Sequence, residues 1–169
     1  MLAFFAAALA ASTPSPALEA SMPWWEKVTV TVDNKGEQQS CFYETSLSST
    51  GAEDCDDETA SAIEIRGDGQ SGLFSKVTIE RRFSPGNRLD AGRLEPGDQL
   101  LGRQVMHLTI DAKGSIQSCH VVSTSGDAPP NYDCDEARKE QFRAQANDNA
   151  SARQAFMTIL AYGHTEEIA

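Results

Sequence analysis

Two stretches of this chain repeat each other 78 residues apart, and no other feature of the sequence limits the possible folds as tightly. Val32 to Cys41 reads VDNKGEQQSC and Ile110 to Cys119 reads IDAKGSIQSC, with Asp, Lys, Gly, Gln, Ser and Cys shared. Upstream, Val28, Val30 and Val32 alternate with polar residues as Met106, Leu108 and Ile110 do. Downstream, Asp54-Cys55-Asp56-Asp57 corresponds to Asp133-Cys134-Asp135-Glu136. Two cysteines and a turn recurring in the same order mark a duplication, so the fold has to be one that a half-length unit can specify.

Each copy reads as a hairpin, a loop, a helix and a closing strand. Strict apolar/polar alternation over Lys27 to Val32 and Gln104 to Ile110 suits half-buried strands. Between strands, Asp33 with Gly36, and Asp111 with Gly114, supply a turn in which Asp bonds the local backbone and Gly accepts positive φ. After a polar loop, Asp133 is placed to cap a helix, with Glu136 three residues on. Cys134, Ala137, Gln141, Phe142 and Gln145 then follow at helical spacing. The first copy's helix is shorter, from Asp56 to about Ile63. Third strands close the units at Leu73–Phe83 and Arg153–Tyr162. The fold class expected is α+β: two tandem ββαβ units, each a small antiparallel sheet with one helix and one disulfide. The division is 1–20 signal peptide and N-terminal tail, 21–83 first unit, 84–102 linker, and 103–169 second unit.

Cys41 and Cys55 lie fourteen apart and Cys119 and Cys134 fifteen apart. Neither spacing gives the Cys-x-x-Cys of a redox motif. A zinc site would need the copies to share four ligands, whereas the duplication favours pairing inside each copy, Cys41–Cys55 and Cys119–Cys134. A bridge closing such a loop contributes about 3 kcal/mol, which units this small require.

The opening run MLAFFAAALAA is too short to span a bilayer, which takes roughly 20 apolar residues. It has the character of a secretory signal core, with Ala8-Leu9-Ala10 as a cleavage point, although no Lys or Arg precedes it. Export agrees with the paired cysteines and places the chain in the periplasm. No transmembrane anchor is expected later. A net charge of −11 argues against nucleic acid and anionic membranes as partners.

The second copy resembles the TonB C-terminal domain family. The resemblance rests on Ile110, Asp111, Gly114, Ile116, Val121, Ser125 and Gly126, followed by CDEARKEQF and the strand ARQAFMTILAY, about 60 residues in all. The cysteine-containing version is similar to TonB-like proteins of sphingomonad-type bacteria. The first copy matches more loosely, with Ser48-Ser49-Thr50-Gly51 at the place of the family's Ser-Ser-Gly. The resemblance implies a module that binds a short peptide of an outer-membrane receptor, or of another envelope protein, by adding it as a strand to an open edge. Energy transduction is not expected, since neither a spanning helix nor a long Pro-rich arm is present. Phe156, Thr158, Ile159 and Leu160 on the last strand, with Val77 to Ile79 in the first copy, are the expected edge. The alternative is a structural envelope protein in which copy packs on copy without binding peptide.

No catalytic residue, metal site or cofactor is expected, and the oligomeric state is left open. His107 and His120 can approach each other across a hairpin, but read more simply as ordinary strand residues. Glu53, Asp54, Asp56, Asp57 and Glu58 lack the alternating spacing of a calcium loop and read as a solvated helix start. Gly69-Gln70-Ser71-Gly72 lacks the strand-turn-helix setting of a nucleophile elbow. Trp24 and Trp25 read as core.

Overall fold

The structure is a computed structural model describing residues 17–33, 38–55, 74–90 and 93–164. Seven strands run β1 Trp24–Val32, β2 Gln38–Thr45, β3 Glu53–Asp54, β4 Lys76–Pro85, β5 Asp98–Ile110, β6 Ile116–Gly126 and β7 Arg153–His164, with one helix, α1 Cys134–Ala137, before the last. All seven strands belong to a single antiparallel sheet in the order β3-β2-β1-β4-β7-β5-β6.

The duplication is visible in the register. Val30 opposes Cys41 and Val77 in the first copy. Leu108 opposes Cys119 and Ala155 in the second, each residue 78 further on. Each copy is therefore a three-stranded unit with its hairpin outside and its third strand inside. The third strands meet in the middle, where β4 pairs with β7 from Lys76↔His164 to Pro85↔Ala155. Within that seam Arg81 opposes Ile159, its own counterpart, and the pair Ile79↔Ala161 is exchanged for Met157↔Phe83. A local twofold thus passes through Arg81 and Ile159.

The α+β expectation is overturned by this architecture. The molecule is almost all sheet, and the second copy's helix is a single turn. Asp133 does cap it, its carboxylate accepting from the Asp135 and Glu136 amides, but Arg138 already ends it. Helices shorter than about 12 residues are marginal unless packing holds them, and here packing takes the backbone elsewhere. The Phe142 amide donates to Gly114 O at 2.9 Å, Leu18 N to Gln141 O at 3.0 Å, and Gln145 N to Ala112 O at 2.8 Å. Those bonds pull Gln141 to Gln145 into extended chain and drive Phe142 to 1 % exposure in the core. The first copy's expected helix, Asp56 to Ile63, lies outside the described residues, as do the signal-like residues 1–16, Gly36, and Gly69 to Gly72. The expected linker is also shorter than 84–102. Ser84 and Pro85 finish β4, and Asp98 already begins β5.

β4 and β5 flank β7 and run in the same direction, so the chain between them must return the length of β7. Ser84 Oγ donates to Arg88 O at 2.8 Å and Arg82 pairs with Asp90 at 3.6 Å, which puts that return over the face carrying Arg82. The other face holds the main core: Trp24, Phe83, Met106, Leu108, Ile110, Phe142, Met157 and Ile159, drawn from both copies. Full burial of each such side chain contributes about 1.5–3 kcal/mol. Trp24 stacks on Phe83 at 5.3 Å and Phe83 on Phe142 at 5.1 Å, which ties the first copy's β1 to the second copy's loop. Leu18 and Ala20 are buried in the same cluster, so the packed chain starts ahead of residue 21. Trp25, on the opposite face of β1, is half-buried with Lys27 Nζ 4.8 Å over its ring.

Candidate functional site

The Asp-x-x-Gly turn of the second copy is built as its residue types dictate. Asp111 Oδ1 accepts from the Lys113 and Ser115 amides, both at 2.9 Å, and Gly114 N donates to Asp111 O at 3.0 Å. Gly114 has φ +87°, and a Cβ there would lie 2.0 Å from Phe142 O. The glycine is therefore required twice, by the turn and by the loop packed on it. Both disulfides form as paired within each copy, Cys41–Cys55 and Cys119–Cys134. Cys119 is buried in the core, and the bridge anchors α1 to β6.

The two outer edges of the sheet differ. On the first copy's side the chain after β2 turns back at Ser48 to Gly51 and lays β3 beside it, Tyr43 opposing Glu53 and Phe42 opposing Asp54. The Cys55 amide then donates to Cys41 O at 3.1 Å. This edge is short, acidic and partly covered, the usual means of blocking strand addition. Glu53 and Asp54 are thus strand residues and not the start of a helix; Asp56, Asp57 and Glu58 lie outside the described residues. On the second copy's side the chain leaves β6 differently, the Ala128 amide crossing to Leu101 O at 3.0 Å. β6 is paired on one side only, with β5.

Ile116–Gly126 carries no Asp, Glu, Lys, Arg or Pro. Val121 and Val122 are 47 % and 53 % exposed, and Ser123 to Gly126 are exposed throughout. Val122 is the extra residue of a bulge, since Met106 opposes Val121 and Val105 opposes Ser123. The edge therefore offers unpaired backbone on both sides of a kink, flanked by two exposed valines.

The expected edge is corrected by the same topology. Phe156, Thr158, Ile159 and Leu160 oppose Ser84, Arg82, Arg81 and Glu80 on one side and His107, Val105, Gln104 and Arg103 on the other. β7 is the most enclosed strand of the sheet, and it has no free backbone to offer. Val77 to Ile79 is likewise interior, between β1 and β7. A signal was present in the sequence: Phe156 to Tyr162 is almost continuously apolar, as strands covered on both faces are, while β6 is rich in Ser and Thr.

One buried ionic group lies beneath the sheet. Arg81 Nε donates to Glu26 Oε2 at 3.0 Å, and its terminal nitrogens reach Glu26, Glu140 and the Tyr132 hydroxyl. Trp24 covers the guanidinium at 5.3 Å. Burial opposes its charge, but the carboxylates of Glu26 and Glu140 outweigh that and hold its pKa above the ordinary value. Tyr43 donates to Glu26 Oε1 at 3.0 Å, and burial followed by the Glu26 charge pushes its pKa up to about 12. Burial also raises Tyr132, against the pull of Arg81. On the opposite face Glu80, 2 % exposed, accepts from Arg82 Nε at 2.7 Å and the Tyr162 hydroxyl at 3.0 Å. Both groups bind elements together and neither opens to solvent as a reaction site would.

No protein-family model, curated protein or solved structure matches the chain.

The histidines are placed apart from those networks. His164 Nδ1 lies 3.0 Å from Asp98 Oδ1, closing the end of β7 on the start of β5. His107 and His120 stand directly opposite each other on β5 and β6. Among the described residues no group of three or more His, Cys, Asp or Glu side chains is arranged to hold a metal, and no helix is long and apolar enough to cross a membrane.

Proposed function

We propose that the chain is an exported, periplasmic TonB-like binding module that recruits an extended segment of an envelope protein by strand addition at β6. The observation that supports this reading is the contrast between the edges: β3 blocks the first copy's, while β6 stays long, uncharged and unpaired. An added strand satisfies the outward N–H and C=O groups of β6 and covers Val121 and Val122. The resemblance of the second copy to the TonB C-terminal family supports the same mode, and the paired cysteines agree with an oxidising compartment. The test is capture from a periplasmic extract under non-reducing conditions, with Ser123→Pro and Thr124→Pro compared separately. Successive strand residues alternate the direction of their N–H groups, so one of the two removes an outward donor only and leaves pairing to β5 intact. Loss of the same partner in that variant, fold retained, supports the proposal; capture unchanged in both overturns it.

A structural role without peptide binding is the second reading. It is favoured by the ten-residue β4·β7 seam that joins copy to copy. It predicts that no envelope protein is captured by either the parent chain or the variants.

A further inference from the structure

We propose that His107 and His120 form a surface site for a divalent transition-metal ion, with Cu(II) the tightest binder. The two residues are directly opposed in an antiparallel pair, so their Cβ atoms stand roughly 4.5–5.5 Å apart and their side chains leave the same face of the sheet. At that separation two imidazoles can converge on one ion at the roughly 2.0–2.1 Å typical of metal–nitrogen bonds. Imidazole suits copper, nickel and zinc, and copper heads the affinity order for such ligands. Two protein nitrogens leave the remaining positions to water.

Three local features favour occupancy. His120 is exposed and His107 half-buried, so an ion can reach both without displacing packed chain. Phe156, opposite His107 on its other side, lies against the His107 ring at 5.1 Å between centroids and restricts its orientation. Neither imidazole has a hydrogen-bond partner among the described residues, and the adjoining pair on that face is Thr109↔Ser118, neutral and hydroxyl-bearing. A net charge of −11 raises the local concentration of divalent cations. The first copy supplies an internal contrast, with Thr29 and Phe42 at the equivalent positions. This site is independent of strand addition at β6, because it uses side chains and not the edge backbone.

The probe is Cu(II), titrated into the full chain without a histidine tag and followed by calorimetry and electron paramagnetic resonance. One ion per chain with coupling to two nitrogens is expected, and binding weakens on acidification because protons compete for the ligands. Removing one of two protein ligands in His120→Gln or His107→Gln should weaken binding by about tenfold or more, whereas His164→Gln leaves it unchanged. His120 is exposed, so its variant keeps the fold, which circular dichroism checks. Binding that persists undiminished in the double His107→Gln, His120→Gln variant, or no binding by the parent chain, overturns the proposal.

Discussion

Arg81 stands directly opposite Ile159 across the β4·β7 seam, and the two are the same position of the duplicated unit. At the point where a twofold would demand identity the copies carry a cation and a hydrocarbon. Ile159 completes the core, while Arg81 gathers Glu26 from its own copy and Tyr132 and Glu140 from the other. The asymmetry makes the copies interdependent, because the first copy's guanidinium is neutralised in part by the second copy's loop.

Breaking that group from one side is therefore costly. Arg81→Leu leaves two carboxylates facing each other in a mostly buried site and is expected to lower stability by about 3–5 kcal/mol. Adding Glu26→Gln and Glu140→Gln removes the stranded charges and should recover most of the loss. Urea midpoints of the parent, single and triple variants measure both steps; an Arg81→Leu chain as stable as the parent contradicts the assigned role.

Gly114 and Gly51 separate two kinds of glycine requirement. Both have positive φ, +87° and +77°, but only Gly114 has backbone where a Cβ would go. Gly51→Ala should cost about 1–2 kcal/mol for the left-handed conformation alone. Gly114→Ala meets the Phe142 carbonyl as well, and a loss of about 3 kcal/mol or more is expected from the combined strain. Thermal melts of the two variants side by side decide the ranking.

Each disulfide should be separately stabilising. Replacing Cys41 and Cys55 by Ala, or Cys119 and Cys134 by Ala, is expected to cost about 3 kcal/mol per bridge. The second pair has an added effect, since it fixes α1 and the loop that carries Phe142 into the core. Denaturant midpoints together with near-ultraviolet dichroism distinguish the two, the second variant alone losing aromatic signal.

Alkaline pH tests the buried tyrosines. The folded pKa of Tyr43 is raised from 10.0 to about 12, so between those values the folded chain holds a proton that the unfolded chain has released. Stability is fully present below pH 10 and falls as pH rises towards 12. Tyr132 and Tyr162 are raised in the same direction, which extends the decline. Tyr43→Phe should flatten the slope over this window in a pH series of denaturant midpoints.

Much of each copy is legible in the sequence, and the reason is that hairpins are local. Alternation over Val28 to Val32 and Met106 to Ile110, the Asp111–Gly114 turn and the cysteine spacing together specify which residues face each other. The pairings Val30↔Cys41 and Leu108↔Cys119 follow from them. The helix was not recoverable beyond its cap. Good helix formers continue after Ala137, but Phe142 is worth more in the core, and its backbone is claimed by Gly114 and Leu18. The open edge was also beyond local reading. Alternation reports which face a strand buries, not which neighbours it has, and strand order is settled by how two copies join. The unbroken apolar run of β7 and the Ser/Thr-rich composition of β6 were the available clues.

Residue-resolved amide hydrogen exchange on the intact, oxidised chain tests the central claim most directly. One sheet joined at β4·β7 predicts the slowest exchange at Arg81, Ile159 and their neighbours, with β6 amides alternating between protected and fast from Ile116 to Ser125. Rapid exchange along the β4-facing amides of β7, together with uniform protection of β6, would contradict it.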